Sequence, residues 1–202
     1  MELTARWVVT GVFFHDILSF GEFRYILKSC FRDGRLKFDQ SEGTMEEIKS
    51  IALVAHDNRK KDLIEWVEWN YEVLTGHKLV CTGTTGRLVE EAIKAKLKKG
   101  DELPYEITKL KSGPLGGDQQ LGSMIAEGKI DLVIFLWDPM EPQPHDVDVK
   151  ALLRIAVVYN VPTACNRSTA DFMISSPLLN TKYQPILTDY SGYIKRAVTF
   201  EK

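Results

Sequence analysis

From residue 51 onward, short apolar runs alternate with segments in which apolar residues recur every three or four positions. Runs that are apolar on both faces are typical of buried parallel strands, and the longer spacing is typical of helices with one buried face. Repeated strand–helix units of this kind predict a three-layer α/β fold with right-handed crossovers. The predicted strands are 51–55, 79–81, 132–137 and 161–165, and the predicted helices are 60–73, 88–97, 118–127, 148–159 and 169–176.

Ligands of such folds bind beyond the carboxyl ends of the strands, so the loops there are the places to look for chemistry. His56, Asp57 and Lys60 follow the first predicted strand, at the rim of the sheet and beside the amides of the next helix. Taken alone, these residues fit an Asp57 N-cap with incidental neighbours better than they fit a site.

A loop rich in glycine and threonine, residues 82–86, follows the second predicted strand. Its glycines allow close approach of the backbone, its hydroxyls donate, and the following helix dipole favours an anion. No Lys-Ser/Thr pair follows the second glycine, which disfavours nucleoside triphosphate hydrolysis and leaves a small phosphate monoester. A plain turn and helix cap is the alternative. The residues of the loop are Thr82, Gly83, Thr84, Thr85 and Gly86.

The segment 112–120, Ser-Gly-Pro-Leu-Gly-Gly-Asp-Gln-Gln, is the most informative stretch of the chain. Its glycines, among them Gly113, cost chain entropy unless something must approach the backbone closely. Asp118 begins the next predicted helix, where a carboxylate is commonly a cap. Held at the rim of the sheet, the same carboxylate is also a candidate general base, kept ionised by the helix dipole.

A second polar cluster follows the predicted strand 132–137. Asp138 lies in a Trp-Asp-Pro turn, and His145, Asp146 and Asp148 come shortly after it. An imidazole with carboxylates to orient it suits acid–base chemistry. A metal site is less favoured, because further ligands at a suggestive spacing are missing. Asp146 or Asp148 is also expected to cap the next helix.

Charge and cysteine content narrow the class of protein. Lys and Arg number 26 against 28 Asp and Glu, and this near-neutral balance argues against a nucleic-acid coat protein or a polybasic membrane binder. Three cysteines without a C-x-x-C spacing indicate reduced thiols. The early apolar run 7–14 is too short to span a membrane and lacks a cleavage site, so we expect a cytoplasmic protein. The lysines at 94–99 fit a solvated helix face better than an anion site.

Residues 1–44 form an aromatic-rich extension ahead of a core at 45–202. Asp33-Gly34 between apolar runs predicts a hairpin there. The extension is expected to be either an add-on that docks on the core or another subunit, or the product of a start placed too far upstream.

Taken together, the loops resemble those of the methylglyoxal synthase family, in the family's order, over about residues 50–192. Each loop alone is a weak signal, whereas the set with Gly-Gly-Asp-Gln-Gln is specific. The matching segments are 55–57 with Lys60, 82–86, 112–114 with 116–120, 137–139, and 144–146 with Asp148.

The resemblance implies a Rossmann-like lyase that converts dihydroxyacetone phosphate into methylglyoxal and inorganic phosphate without a metal or organic cofactor. It further implies a homohexamer inhibited by phosphate, with no nucleic-acid or membrane partner. Asp118 would be the base, and His145 would polarise the carbonyl or move protons, with Asp148 beside them. The substrate would be held by His56, Lys60, Thr82, Gly83, Thr84, Thr85, Ser112, Gly113 and His145, with Asp57 and Asp138 in support.

Two departures from the family pattern stand out: the segment 87–110 is longer than usual, and Arg196 does not align with the family's C-terminal arginine, so no role is carried to it. A regulatory ligand-binding domain of the same fold is the main alternative, and such a module needs neither Asp118 nor His145. A scaffold protein that recruits a partner through its aromatic N-terminus is a third possibility, but it leaves the loops unexplained.

Overall fold

The computed structural model describes residues 44–98, 100–142 and 144–190, and within them one sheet of five parallel strands. The strands are β1 (Ser50–Ala55), β2 (Lys78–Thr82), β3 (Thr108–Leu110), β4 (Leu132–Leu136) and β5 (Thr163–Ala164). Their order in the sheet is β3-β2-β1-β4-β5, and each neighbouring pair runs parallel. This confirms the predicted parallel α/β architecture.

Helices cover both faces of the sheet, because alternate residues of each central strand point to opposite sides. Ile51 and Leu53 of β1 pack into one core cluster, and Ala52 and Val54 pack into the other. The first cluster takes apolar residues from the helices Lys60–Trp69, Gly83–Lys96 and Arg167–Ile174, and the second takes them from the helices Gly117–Ala126 and Asp146–Val158. The helices are α1 (Lys60–Trp69), α2 (Tyr71–Leu74), α3 (Gly83–Lys96), α4 (Gly117–Ala126), α5 (Asp146–Val158) and α6 (Arg167–Ile174).

The strand order places a switch point at β1. From β1 the chain moves outward through β2 to β3, and it then returns to add β4 and β5 on the other side. The loops that leave β1 and β4 therefore diverge, which opens a crevice at the carboxyl ends of these two strands. The polar loops singled out from the sequence leave the sheet at this same end.

Several predicted element boundaries are wrong. The helix predicted at 60–73 is interrupted at Asn70: α1 ends at Trp69, where the Asn70 side chain donates to the Trp66 carbonyl at 2.9 Å, and α2 continues from Tyr71 to Leu74. The strand predicted at 161–165 comprises only Thr163 and Ala164. β3 is missed by the sequence analysis because this edge strand is short and mostly exposed, and so lacks an apolar run.

The opposite end of the sheet holds a second set of buried polar groups. The Lys49 ammonium, almost fully buried, donates to the Glu46 carbonyl and to the Thr181 carbonyl, the latter at 2.6 Å. The backbone amide of Lys49 donates to Nδ1 of the buried His77 at 3.2 Å. An Asp131 carboxylate oxygen accepts from the Ser50 amide at 2.7 Å. The buried polar groups at this end thus have protein partners.

The expected extension 1–44, its hairpin at Asp33-Gly34 and Arg196 lie outside the described residues, apart from Thr44. Within the described part of the chain, Lys94 pairs with Glu90 at 2.9 Å on an exposed face of α3, as expected for a solvated surface. No helix described there has the length and apolar character needed to cross a bilayer.

Candidate active site

A cavity of about 250 Å³ lies at the carboxyl ends of the strands, beside the switch point. Most of the residues predicted to bind substrate line it, although they come from four separate loops. The lining consists of Val54, Ala55, His56, Asp57, Lys60, Thr82, Thr84, Thr85, Ser112, Gly113, Pro114, Asp118, Phe135 and His145.

Asp118 and His145 form a hydrogen-bonded pair in this cavity, 2.9 Å apart between Oδ2 and Nδ1. The Asp118 side chain is 1% exposed and the His145 side chain is 10% exposed. Asp118 sits in the first turn of α4, where the helix dipole favours a carboxylate. A Cβ at Gly113 would stand 2.8 Å from the imidazole Cε1 and 3.1 Å from the carboxylate, so only glycine leaves room for the pair.

The glycines before Asp118 let α4 begin directly against the end of β3. A Cβ at Gly117 would stand 2.1 Å from the Lys111 carbonyl oxygen, a contact no side chain tolerates. Gly116 adopts a φ of 96°, in the left-handed region that favours glycine. Gln120 then accepts a hydrogen bond from the Lys111 amide at 2.8 Å. The Gly-Gly-Asp-Gln-Gln sequence therefore fixes the position of the Asp118 carboxylate.

The threonine-rich segment forms the first turn of α3 rather than a separate loop, because the helix already begins at Gly83. Gly83 has a φ of 26°, and a Cβ there would stand 2.8 Å from the Ser112 Cα. Its close approach brings the ends of β2 and β3 together. The Thr82 and Thr85 side chains are buried against the cavity. A helix N-terminus lined by hydroxyls suits an anion.

Lys60 supplies a positive charge near these hydroxyls. Its ammonium lies 2.5 Å from Oδ1 of Asp57, whose side chain is 85% exposed. The hydrogen bond and charge of Lys60 lower the pKa of the Asp57 carboxyl below its ordinary value. Asp57 starts a 3-10 turn (Asp57–Arg59) and makes no capping hydrogen bond, so the N-cap interpretation is wrong.

His56 is buried beneath the cavity, and its two ring nitrogens differ. Nδ1 accepts a hydrogen bond from the Asp138 amide at 3.3 Å, whereas buried Nε2 has no partner among the described residues. The ring meets those of Phe135 and His145 edge to face, with centroids 5.2 and 5.7 Å away. Burial, and then the charge of His145, lower the pKa of His56.

Asp138 and Asp148 lie outside the cavity lining. Asp138 accepts from the Met140 amide at 3.0 Å and from Asn58 Nδ2 at 3.3 Å. Asp148 lies with Asp146 in the first turn of α5, and its amide donates to the His145 carbonyl at 2.8 Å. Neither aspartate makes the expected capping hydrogen bond, because His145 occupies the N-cap position.

Two contributors to the site were missed by the sequence analysis. The Asn58 side-chain amide donates hydrogen bonds to Asp138 and Glu141 across the crevice. No sequence pattern predicts this contact between two exposed loops. Phe135 forms an apolar wall, and the signal available was its place near the end of an apolar strand. Among the described residues, no cluster of histidine, cysteine and carboxylate side chains is arranged to hold a metal ion.

Comparison with known proteins shows which family the chain resembles. The family model described as an MGS-like domain matches residues 62–165. The methylglyoxal synthase of Maridesulfovibrio salexigens is 58% identical over 155 residues, covering 75% of this chain and 99% of that protein. The methylglyoxal synthase of Leptospira interrogans is 56% identical over 155 residues, covering 77% and 98%.

A solved structure agrees with these relatives. The crystal structure of methylglyoxal synthase from Elizabethkingia anophelis superposes with a TM-score of 0.69 at 54% sequence identity, covering 77% of this chain and 96% of that chain. The sequence identity of 54–58% extends over nearly the whole length of each of these relatives. The chain belongs to the methylglyoxal synthase family.

Proposed function

We propose that this protein converts dihydroxyacetone phosphate into methylglyoxal and inorganic phosphate. The observation that carries the proposal is the buried Asp118–His145 pair, 2.9 Å apart, in the same cavity as Lys60 and the threonines of α3. The cavity thus combines an acid–base pair with an anion site, the two elements that elimination of a phosphate requires. Two relatives named methylglyoxal synthase align with this chain over almost their whole length.

The phosphate group binds at the N-terminus of α3. Thr82, Thr84 and Thr85 present hydroxyls there, and the dipole of the helix favours an anion at this end, although the Gly83 amide already donates to the Lys111 carbonyl. Lys60 adds a full positive charge when its ammonium turns from Asp57 to the phosphate. Ser112 and Gly113 close the other side of the cavity, and Gly83 acts through the close approach of its backbone.

Asp118 removes a proton from the hydroxymethyl carbon next to the carbonyl. The electron pair of that C–H bond forms a C=C bond, and the carbonyl oxygen takes up the negative charge of an enediolate. His145 holds the carboxylate in place and moves a proton to or from the substrate oxygens. Donors aimed at the developing oxyanion stabilise this intermediate.

Phosphate then leaves from the enediolate. The hydroxyl on the former hydroxymethyl carbon gives up its proton to His145 and becomes the aldehyde C=O, the C=C electron pair shifts to the bond between the central carbon and the phosphate-bearing carbon, and the C–O bond to phosphate breaks. This releases inorganic phosphate and leaves the enolate of methylglyoxal, whose terminal carbon takes up a proton to become the methyl group. No water, oxidant or reductant is consumed, because the atoms of the substrate equal those of the two products. The positive charge of Lys60 and the helix N-terminus stabilise the departing dianion.

The acid–base pair is also what separates an enzyme from a regulatory domain of the same fold. A module that only binds an anion needs the threonines and Lys60, but it has no use for a carboxylate and an imidazole buried together beside them. Burying Asp118 removes it from water, a cost expected only where the carboxylate has a task.

Further expectations accompany this function. Inorganic phosphate should compete with substrate for the threonines and Lys60, and Asp148 should support His145 from the first turn of α5. A homohexamer in the cytoplasm and an aromatic-rich extension at 1–44 complete the proposal. These expectations follow from the resemblance and from the sequence rather than from the contacts described above.

Asp118→Asn tests the proposal, because it keeps the shape of the side chain and removes its basicity. We expect kcat to fall by about 10²–10⁴, the usual contribution of a general base, while the fold is retained. Glu127→Gln is the matched control, since it makes the same chemical change at the exposed far end of α4. Equal rates for Asp118→Asn and wild type would overturn the assignment of the base.

A further inference from the structure

His56 and His145 are neighbours whose Nδ1 atoms have opposite partners. The His145 Nδ1 faces a carboxylate oxygen of Asp118, which only accepts when ionised, so His145 carries its proton on Nδ1. The His56 Nδ1 faces the Asp138 amide, which only donates, so His56 carries its proton on Nε2. The fold therefore imposes two different tautomers on two rings 5.7 Å apart.

The Nε2–H group of His56 is a buried hydrogen-bond donor. His56 is 5% exposed, it lines the cavity, and its Nε2 has no partner among the described residues. A buried donor without an acceptor is unfavourable, because it has lost its hydrogen bonds to water and gained none in return. That cost is recovered when a substrate oxygen enters the cavity and accepts from Nε2–H.

The Asp138 side chain shapes the loop that directs its own amide at His56. One carboxylate oxygen accepts from the Met140 amide at 3.0 Å, which turns the loop after β4. The other accepts from Asn58, which also bonds Glu141, so the loop after β4 is tied to the loop after β1. These contacts converge on the residue whose amide contacts the imidazole.

We infer that Asp138 is a positioning residue: its carboxylate holds the loop so that its amide fixes His56 as the Nε2–H tautomer, which then donates to an oxygen of the substrate. The identity of that substrate as a triose phosphate rests on the function proposed above, whereas the tautomer does not. The lowered pKa of His56 fits this role, because a neutral ring is needed for Nδ1 to accept.

The tautomer is measured directly by NMR of the full chain with ¹⁵N-labelled histidine, without substrate. We expect the wild-type His56 to show a protonated Nε2 and a bare Nδ1. Asp138→Ala should mix in the other tautomer, because the loop loses its anchor. Asp138→Asn keeps an acceptor for the Met140 amide and should retain the wild-type spectrum, as should Glu127→Gln.

Kinetics provide the second readout. Asp138→Ala should lower kcat/KM for dihydroxyacetone phosphate roughly threefold to tenfold, and Asp138→Asn should recover most of this loss. A wild-type His56 protonated on Nδ1, or an Asp138→Ala variant with an unchanged tautomer, would overturn the inference, whatever its activity. A wild type with the expected tautomer but no turnover would overturn the proposed function alone.

Discussion

Both ends of the sheet bury polar side chains, but the hydrogen-bond partners of these side chains differ between the two ends. At the amino end, Lys49, His77 and Asp131 bond to backbone carbonyls and amides of the protein itself. At the carboxyl end, His56 Nε2 has no partner within the described residues, and threonines and Lys60 face an open cavity. Polar groups satisfied by the protein serve stability, and polar groups left for a ligand serve function. Substitutions at the two ends should therefore have separable effects.

After Asp118→Asn, the largest effect on activity is expected from Gly113→Ala at the carboxyl end. The new Cβ would stand 2.8 Å from the His145 Cε1 and 3.1 Å from the Asp118 carboxylate, so the pair must move. Because a displacement of about 1 Å in an active site can cost 10²-fold, we expect a loss of that order in kcat/KM. The check is steady-state kinetics with dihydroxyacetone phosphate.

Gly122→Ala is the control for this substitution. A Cβ at Gly122, within α4, meets nothing within 4 Å, and alanine is the better helix former. Its activity should match wild type. If both glycine variants lost activity equally, the tight fit around the acid–base pair would not be the cause.

At the amino end, Asp131→Ala should reduce stability and spare catalysis. Removing the carboxylate leaves the Ser50 amide without its acceptor, which should lower the unfolding free energy by about 1–3 kcal/mol. Asp131→Asn retains an oxygen acceptor and should lose less. Urea unfolding and kinetics on the same samples measure both quantities. A fall in kcat/KM for the folded variant would contradict the separation of the two ends.

Acid should weaken both ends together, because each contains a buried histidine whose pKa is lowered by burial. His56 faces His145, Asp146, Asp118 and Asp138, and His77 feels the charge of Lys49. A lowered pKa means that the unfolded chain binds more protons, so stability is complete above pH about 6.5 and declines as the pH falls below it. The measurement is the unfolding free energy against pH.

His77→Gln should remove part of this acid dependence and His56→Gln another part. The two substitutions report on the amino and carboxyl ends separately, since the histidines lie at opposite ends of the strands. An unfolding free energy that increases as the pH is lowered from about 6.5 to about 5 would contradict the lowered pKa values of the two histidines.

The smallest effect is expected from Asp57→Asn. It removes the carboxylate that pairs with Lys60, but the Asp57 side chain is largely exposed, so the pair is worth at most about 1 kcal/mol. Affinity for inorganic phosphate should therefore rise by no more than about fivefold, measured as inhibition of turnover. Weaker phosphate binding would show that Asp57 helps the anion rather than competing with it.

The features that could be predicted from the sequence are those whose sequence pattern lies within one short stretch of the chain. Buried strands such as β1 are predictable from their unbroken apolar residues, here 51–55, so the α/β architecture followed from the sequence. Thr108–Leu110 carries no such run, because an edge strand takes its conformation from its neighbour. Most of the residues predicted to hold substrate line one cavity, since parallel strands end at one edge of the sheet.

What the sequence does not reveal are contacts between loops that are distant along the chain. The Asn58–Asp138 bond joins residues that are 80 positions apart, and neither residue type signals the other. The reason for Gly117 lies only six positions away, in the Lys111 carbonyl that excludes a Cβ, but no residue type in the segment signals this close approach. Histidine tautomers are likewise set by whichever backbone or side-chain atom faces the ring.

The most direct test of the proposed elimination is ³¹P and ¹H NMR of the wild-type protein with dihydroxyacetone phosphate. We expect inorganic phosphate and methylglyoxal to appear in equal amounts, with no accumulation of an isomerised triose phosphate. Substrate that persists unchanged, or that isomerises without releasing phosphate, would contradict a site built to eliminate phosphate from the enediolate.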